Sequence, residues 1–159
     1  MSAASRWRTY PTLGRVSNLP TIATQTAAAI AIARDDADAN DALTIGGGLA
    51  AAYVAGMFLN DAFDRRVDAT DRPGRPIPAG HVGAVEVFFV GGALLTLGAI
   101  LLVLAGLRRG HAAPALAAAT ALATAIVVYD AHHKKNPFAP VIMGLCRGLV
   151  YVCAAAALA

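Results

Sequence analysis

Four stretches of this chain, residues 16–33, 42–59, 87–107 and 112–128, contain no charged residue, and a fifth, residues 138–159, contains only Arg147. Their apolar residues come in long runs rather than in alternation. A helix that crosses a bilayer needs about 20 mainly apolar residues, within a range of about 17–25. All five stretches satisfy that length, so the sequence predicts an all-α, polytopic membrane helix bundle with about five transmembrane helices and no internal domain boundary. Composition excludes the obvious alternative: at 57% hydrophobic and 14% charged, with a mean hydropathy of +0.57, the chain has too little charge for an ordinary soluble domain. Much of the apolar content is alanine and glycine, which suits close helix packing in lipid, as at Gly46-Gly47-Gly48 and Gly91-Gly92.

The charges between these runs suggest an orientation. If five helices alternate in direction, Arg6, Arg8, Arg15, Arg65, Arg66, Arg72, Arg75, Lys134 and Lys135 share one side, and only Arg34, Arg108 and Arg109 fall on the other. The positive-inside tendency then puts the N-terminus and the second and fourth connections in the cytoplasm of a cell-membrane protein, with Arg108-Arg109 as the misfit. The first apolar run follows an Arg-rich tail and lacks a small-residue cleavage site, so it reads as a retained anchor. Cys146 and Cys153 sit seven apart in one expected helix, ~10 Å by its rise, too far for a disulfide with each other. Arginine outnumbers lysine eleven to two, a composition that hints at a GC-rich bacterial source.

Polar chemistry concentrates at the end of the second run, in Asn60-Asp61-Ala62-Phe63-Asp64-Arg65-Arg66-Val67-Asp68. On a helix, at ~100° per residue, Asn60, Asp64 and Asp68 fall on one stripe with Asp61 beside them. Oxygen ligands in that pattern suit Mg²⁺, which shares its coordination shell with phosphates. The next residues, Arg72-Pro73-Gly74-Arg75-Pro76-Ile77-Pro78-Ala79-Gly80, cannot continue a helix, so the aspartate helix ends near residues 68–71 and the loop brings arginines back beside the acids. The fourth connection, with Tyr129, His132, His133, Lys134 and Lys135, forms a second polar cluster on the same expected face. A Mg²⁺-bridged lipid diphosphate could be balanced there by Arg15, Arg72, Arg75 and Lys134. Stabilising the departing diphosphate would let an allylic C–O bond ionise.

These residues resemble the UbiA superfamily of intramembrane prenyltransferases. Asn60-Asp61-x-x-Asp64-x-x-x-Asp68 matches that superfamily's NDxxDxxxD signature, the proline-rich loop is similar to the one that follows it there, and Arg15-Val16-Ser17-Asn18-Leu19-Pro20-Thr21 is similar to its first-helix entry. The resemblance implies that Asn60, Asp61, Asp64 and Asp68 bind Mg²⁺, that Asp64 and Asp68 are catalytic, and that Arg15, Asn18, Arg72, Arg75, Tyr129, His133 and Lys134 bind diphosphate. It implies an isoprenyl diphosphate donor, an aromatic or other electron-rich small-molecule acceptor, a membrane lipid environment and no nucleic-acid partner. Residues 129–147, with Gly144-Leu145-Cys146-Arg147, lean toward the EboC-like bacterial branch.

Two departures qualify the match. The superfamily has about nine transmembrane helices and a second aspartate motif, whereas no DxxxD follows Asp130 here, so residues 1–159 resemble only an N-terminal half. The superfamily's Tyr-x-x-x-Lys becomes Tyr129 with His133 at that spacing and Lys134 one later. The chief rival is therefore a truncated or split membrane subunit that needs a partner to supply a missing C-terminal half. A cation or phosphate carrier is weaker, since the polar groups gather at one surface rather than along a path. The bland alternative is a solvated helix end, its aspartates balanced by Arg65 and Arg66. Arg147, inside an apolar run, is expected to meet an acid or a cavity.

Overall fold

Asp38 starts the longest helix. Its carboxylate accepts from the Asp41 N–H at 2.8 Å, while the Asp41 carboxylate accepts from the Asp38 N–H at 3.2 Å, so two backbone donors that the first turn leaves unpaired are satisfied reciprocally. From there helix α2, Ala39–Asp71, runs for 33 residues. At ~1.5 Å per residue it is ~50 Å long, well beyond the ~30 Å of a bilayer's hydrocarbon core. The expected continuation of the apolar run into residues 60–68 holds, and the helix ends at Asp71, just before the proline-rich loop.

The structure is a computed structural model that describes residues 9–33, 36–134 and 136–159. Arg6, Arg8, Arg34 and Lys135, which enter the charge pattern above, lie outside the described residues. Besides α2 the long helices are α1 (Leu19–Ala33), α3 (Ala84–Arg109), α4 (Ala112–His132) and α5 (Ala139–Leu158), and no strand occurs among the described residues. Gly110, in the left-handed region at φ 84°, closes α3, and a proline in the first turn opens α5.

The first run departs from its expectation. Residues Val16–Asn18 wind as a 3-10 turn, and α1 has 15 residues, or ~22 Å. Arg15, held at φ 43°, and Pro20, which has no N–H to donate, fix its late start. Among the described residues four helices rather than five are long and apolar enough to cross a membrane: α2, α3, α4 and α5, with mean hydropathies of 1.7, 2.6, 1.8 and 2.0 over their best windows.

Small residues govern the packing. α3 lies along α2 so closely that a Cβ on Gly98 would come 2.7 Å from the Gly48 carbonyl oxygen. Ile45, Leu49, Leu102 and Leu122 bury themselves among Ala52, Ala105, Ala115, Ala119, Ala154 and Ala157. A second apolar cluster, with Leu13, Phe58, Ala62, Val82 and Val87, lies around the aspartate segment. Cys146 and Cys153 are free, as their spacing required.

Short connections make successive helices antiparallel. The ends of α2 and α4 and the starts of α1, α3 and α5 therefore share one end of the bundle. At the other end the misfit arginines are neutralised. Arg109 pairs with Asp41, which is fully buried, and reaches Asp36 at 3.4 Å; Arg108 lies 3.4 Å from Asp38 and 3.7 Å from Asp41. Arg147 breaks its expectation: it is exposed on α5 and pairs with no acid among the described residues, while its carbonyl accepts from Gln25 at 3.5 Å.

Candidate active site

The stripe predicted on α2 is real, and it faces inward. Asp61, Asp64 and Asp68 are only 8%, 5% and 2% exposed. Carboxylates so far from water need partners, and the loop after α2 supplies the first. Backbone turns from Arg72 to His81 fold this loop back on itself, with Gly80 left-handed at φ 71°, and Ile77 and Val82 pin it to the apolar cluster of Phe58 and Val87. Arg75 is thereby carried back over the helix end. Its Nη1 donates to Asp61 Oδ1 at 3.0 Å and to Asp68 Oδ2 at 2.7 Å.

Asp64 is served instead by the residues that follow α4. Lys134 Nζ lies 3.1 Å and His133 Nε2 3.4 Å from its Oδ2. The His133 ring stacks on Tyr129 at 5.1 Å between centroids, which holds it over the site. His133, at the Tyr-x-x-x-Lys spacing, and Lys134, one later, thus both face Asp64. Arg15 approaches from the N-terminal side, 3.9 Å from Asp61. It is the single described non-glycine residue with positive φ, a conformation retained where surrounding contacts enforce it. Gly14 before it is buried against Val54 and Phe58. Tyr10 stacks on Phe58 and donates from its hydroxyl to Glu86, tying this segment to α2 and α3.

The bland alternative fails on geometry. Arg65 donates to the Ala62 carbonyl at 2.8 Å and lies over the Phe88 ring, while Arg66 is exposed; the acids are matched by Arg75, Lys134, His133 and Arg15 instead. Two expected phosphate residues are not drawn in. Arg72 caps α2 through its backbone and is exposed, and Asn18 is exposed, with no contact to the aspartates among the described residues.

Sequence reasoning missed Asp130. It lies near the end of α4, is 4% exposed, and accepts from Asn60 Nδ2 at 3.3 Å. The available signal was an acid at the end of an apolar run, immediately after Tyr129. Its Oδ2 is buried with no hydrogen-bond partner among the described residues.

Among the described residues no three His, Cys, Asp or Glu side chains converge as a ready-made metal ligand set, because basic side chains hold the acids. The donor chemistry nonetheless suits Mg²⁺: Asn60, Asp61, Asp64 and Asp68 offer hard oxygens, and Asp130 Oδ2 lacks a partner among the described residues. Such a site, acids on one wall and cations on the other at the end of an apolar bundle, can take a metal-bridged anion whose tail stays in the apolar layer.

Comparison with known proteins assigns the family. Residues 20–159 match the UbiA prenyltransferase family. A digeranylgeranylglyceryl phosphate synthase of Ignicoccus hospitalis is 37% identical over 123 residues, covering 77% of this chain and 38% of that protein. One of Methanosarcina mazei is 45% identical over 47 residues, 30% of this chain and 16% of that protein. A solved structure, from work on digeranylgeranylglyceryl phosphate synthase in membranes, superposes with a TM-score of 0.82 at 27% identity, over 96% of this chain and 53% of that one. The chain belongs to the UbiA prenyltransferase family and shares its helical fold, and it spans 38% of the length of the first of these relatives.

Proposed function

We propose that this chain binds an isoprenyl diphosphate in a Mg²⁺-dependent manner and takes part in transferring its prenyl group, within the membrane, to an electron-rich acceptor. The observation that carries the reading is the juxtaposition of Asp61, Asp64 and Asp68 with Arg75, Lys134, His133 and Arg15 at one end of the bundle. Asn60, Asp61, Asp64 and Asp68 would hold the metal, which when bound supplies positive charge to the diphosphate. Arg75 and Lys134, released from the acids, would contact its oxygens, with Arg15 at the entrance. In the transfer, the allylic C–O bond breaks, the diphosphate leaves with the electron pair, and the acceptor's lone pair or π electrons form the new bond as it loses a proton. The acids would then be neutralised by the metal in place of the basic side chains.

The relatives' name makes a glyceryl phosphate lipid, with a hydroxyl nucleophile, the favoured acceptor class over an aromatic ring. The charge pattern supports a cytoplasmic site end and N-terminus. A second reading has the same site work only when further helices complete it, since the chain spans 53% of the solved relative.

Binding of geranylgeranyl diphosphate to the purified chain in detergent, with and without Mg²⁺ and beside Asp64→Ala, tests the reading. Binding that is lost on Mg²⁺ removal and on substitution is expected. Binding indifferent to both would overturn the site assignment. No binding by either protein would favour the second reading.

A further inference from the structure

Asp61, Asp64 and Asp68 each pair with a basic side chain, whereas Asp130 pairs with none among the described residues. Its one described side-chain partner is an amide. Oδ1 accepts from Asn60 Nδ2 at 3.3 Å, and Oδ2 is buried without a hydrogen bond to any described residue. In that contact the amide presents its nitrogen to Asp130. The planar amide of Asn60 then turns its oxygen away from Asp130. That matters because Asn60 shares its stripe with Asp64 and Asp68. The amide could serve a cation through Oδ1 but would repel it through Nδ2, and nothing in its covalent structure chooses between the two.

We propose that Asp130 is a positioning residue that makes this choice, locking the Asn60 amide with its oxygen available to the divalent cation. The inference rests on the Mg²⁺–diphosphate reading above. An asparagine at position 130 would remove the lock at constant shape, since it can donate to Asn60 Oδ1 as well as accept from Nδ2. A role confined to holding α2 against α4 would instead act on stability and not through Asn60.

The test is a double-mutant cycle on the full chain in detergent, titrating Mn²⁺ as the probe cation by electron paramagnetic resonance, with thermal unfolding in parallel. Asp130→Asn is expected to weaken Mn²⁺ binding by about 10- to 100-fold, as loss of an orienting partner does. In an Asn60→Ala background the same change should have no further effect, and the unfolding midpoint should stay near that of the unaltered chain. Unchanged affinity in Asp130→Asn, or losses that multiply in the double variant, would overturn the inference. If Asp130→Asn does not fold, Asp130→Ala, which also frees the amide, reads the same cycle. Mn²⁺ binding that depends on Asp64 but ignores Asp130 overturns this inference alone, whereas no Mn²⁺ binding by the unaltered chain overturns it together with the metal reading.

Discussion

The proposed function gives Arg75 two jobs that cannot be done at once. In the structure it bridges Asp61 and Asp68, and in the proposed complex it faces diphosphate. The same competition applies to Lys134 at Asp64. A metal arriving alone must displace these cations, and a diphosphate arriving alone meets three buried carboxylates. The two ligands should therefore bind with positive coupling, each removing the obstacle to the other. Arg75→Gln separates the terms. Hydrogen bonds to charged groups contribute about 1.5–3 kcal/mol, so the change should raise Mn²⁺ affinity in the absence of diphosphate by about 10-fold and lower pyrophosphate affinity in the presence of Mn²⁺ by a similar factor. Isothermal titration in both orders measures this. A fall in Mn²⁺ affinity would show that Arg75 supports the metal site rather than competes with it.

At the scale of elements, the same small residues that make the runs weakly apolar set the distance between helices. Gly98 on α3 sits where an added Cβ would meet the Gly48 carbonyl oxygen at 2.7 Å and the Ala52 nitrogen at 3.1 Å, both backbone atoms that cannot swing aside. Gly98→Ala should therefore separate α2 from α3 and lower stability by about 1–3 kcal/mol, visible as a lower unfolding midpoint in detergent. Gly92→Ala, where the new Cβ meets nothing within 4 Å beyond its chain neighbours and its own helix backbone, should not lower the midpoint, and equal losses in the two variants would discount the close approach. The contrast also explains what could be read from the residues alone. α2 was legible through residues 60–68 because its polar residues recur at helical spacing directly after an apolar run. α1 was not, because a charge-free stretch says nothing about the left-handed turn at Arg15 that delays its start. Asn60 and Asp130 were not paired in advance because they lie 70 residues apart on different helices. The alanine-rich run of α4 has no pattern to fix which face it turns to α2.

For the whole molecule the two ends differ in how their charges are used. At the site end, cations gather around acids and more cations remain: Arg66 and Arg72 are both exposed there. At the other end Arg108 and Arg109 are absorbed by Asp36, Asp38 and Asp41. The misfit in the charge pattern is thus a pair of arginines that close the end of α3 onto the capped start of α2, a structural use that removes the reason to weigh them as free anchors. By the positive-inside tendency the remaining asymmetry predicts a cytoplasmic site end, which is the side from which the proposed diphosphate head group would arrive. Single cysteines decide the matter once Cys146 and Cys153 are replaced by alanine. Ala113→Cys, at the exposed start of α4, should react with a membrane-impermeant maleimide added to intact cells, and Gly74→Cys, in the exposed loop after α2, only after permeabilisation. The opposite pattern would place the aspartates outside, and the donor diphosphate would then have to reach them from that face.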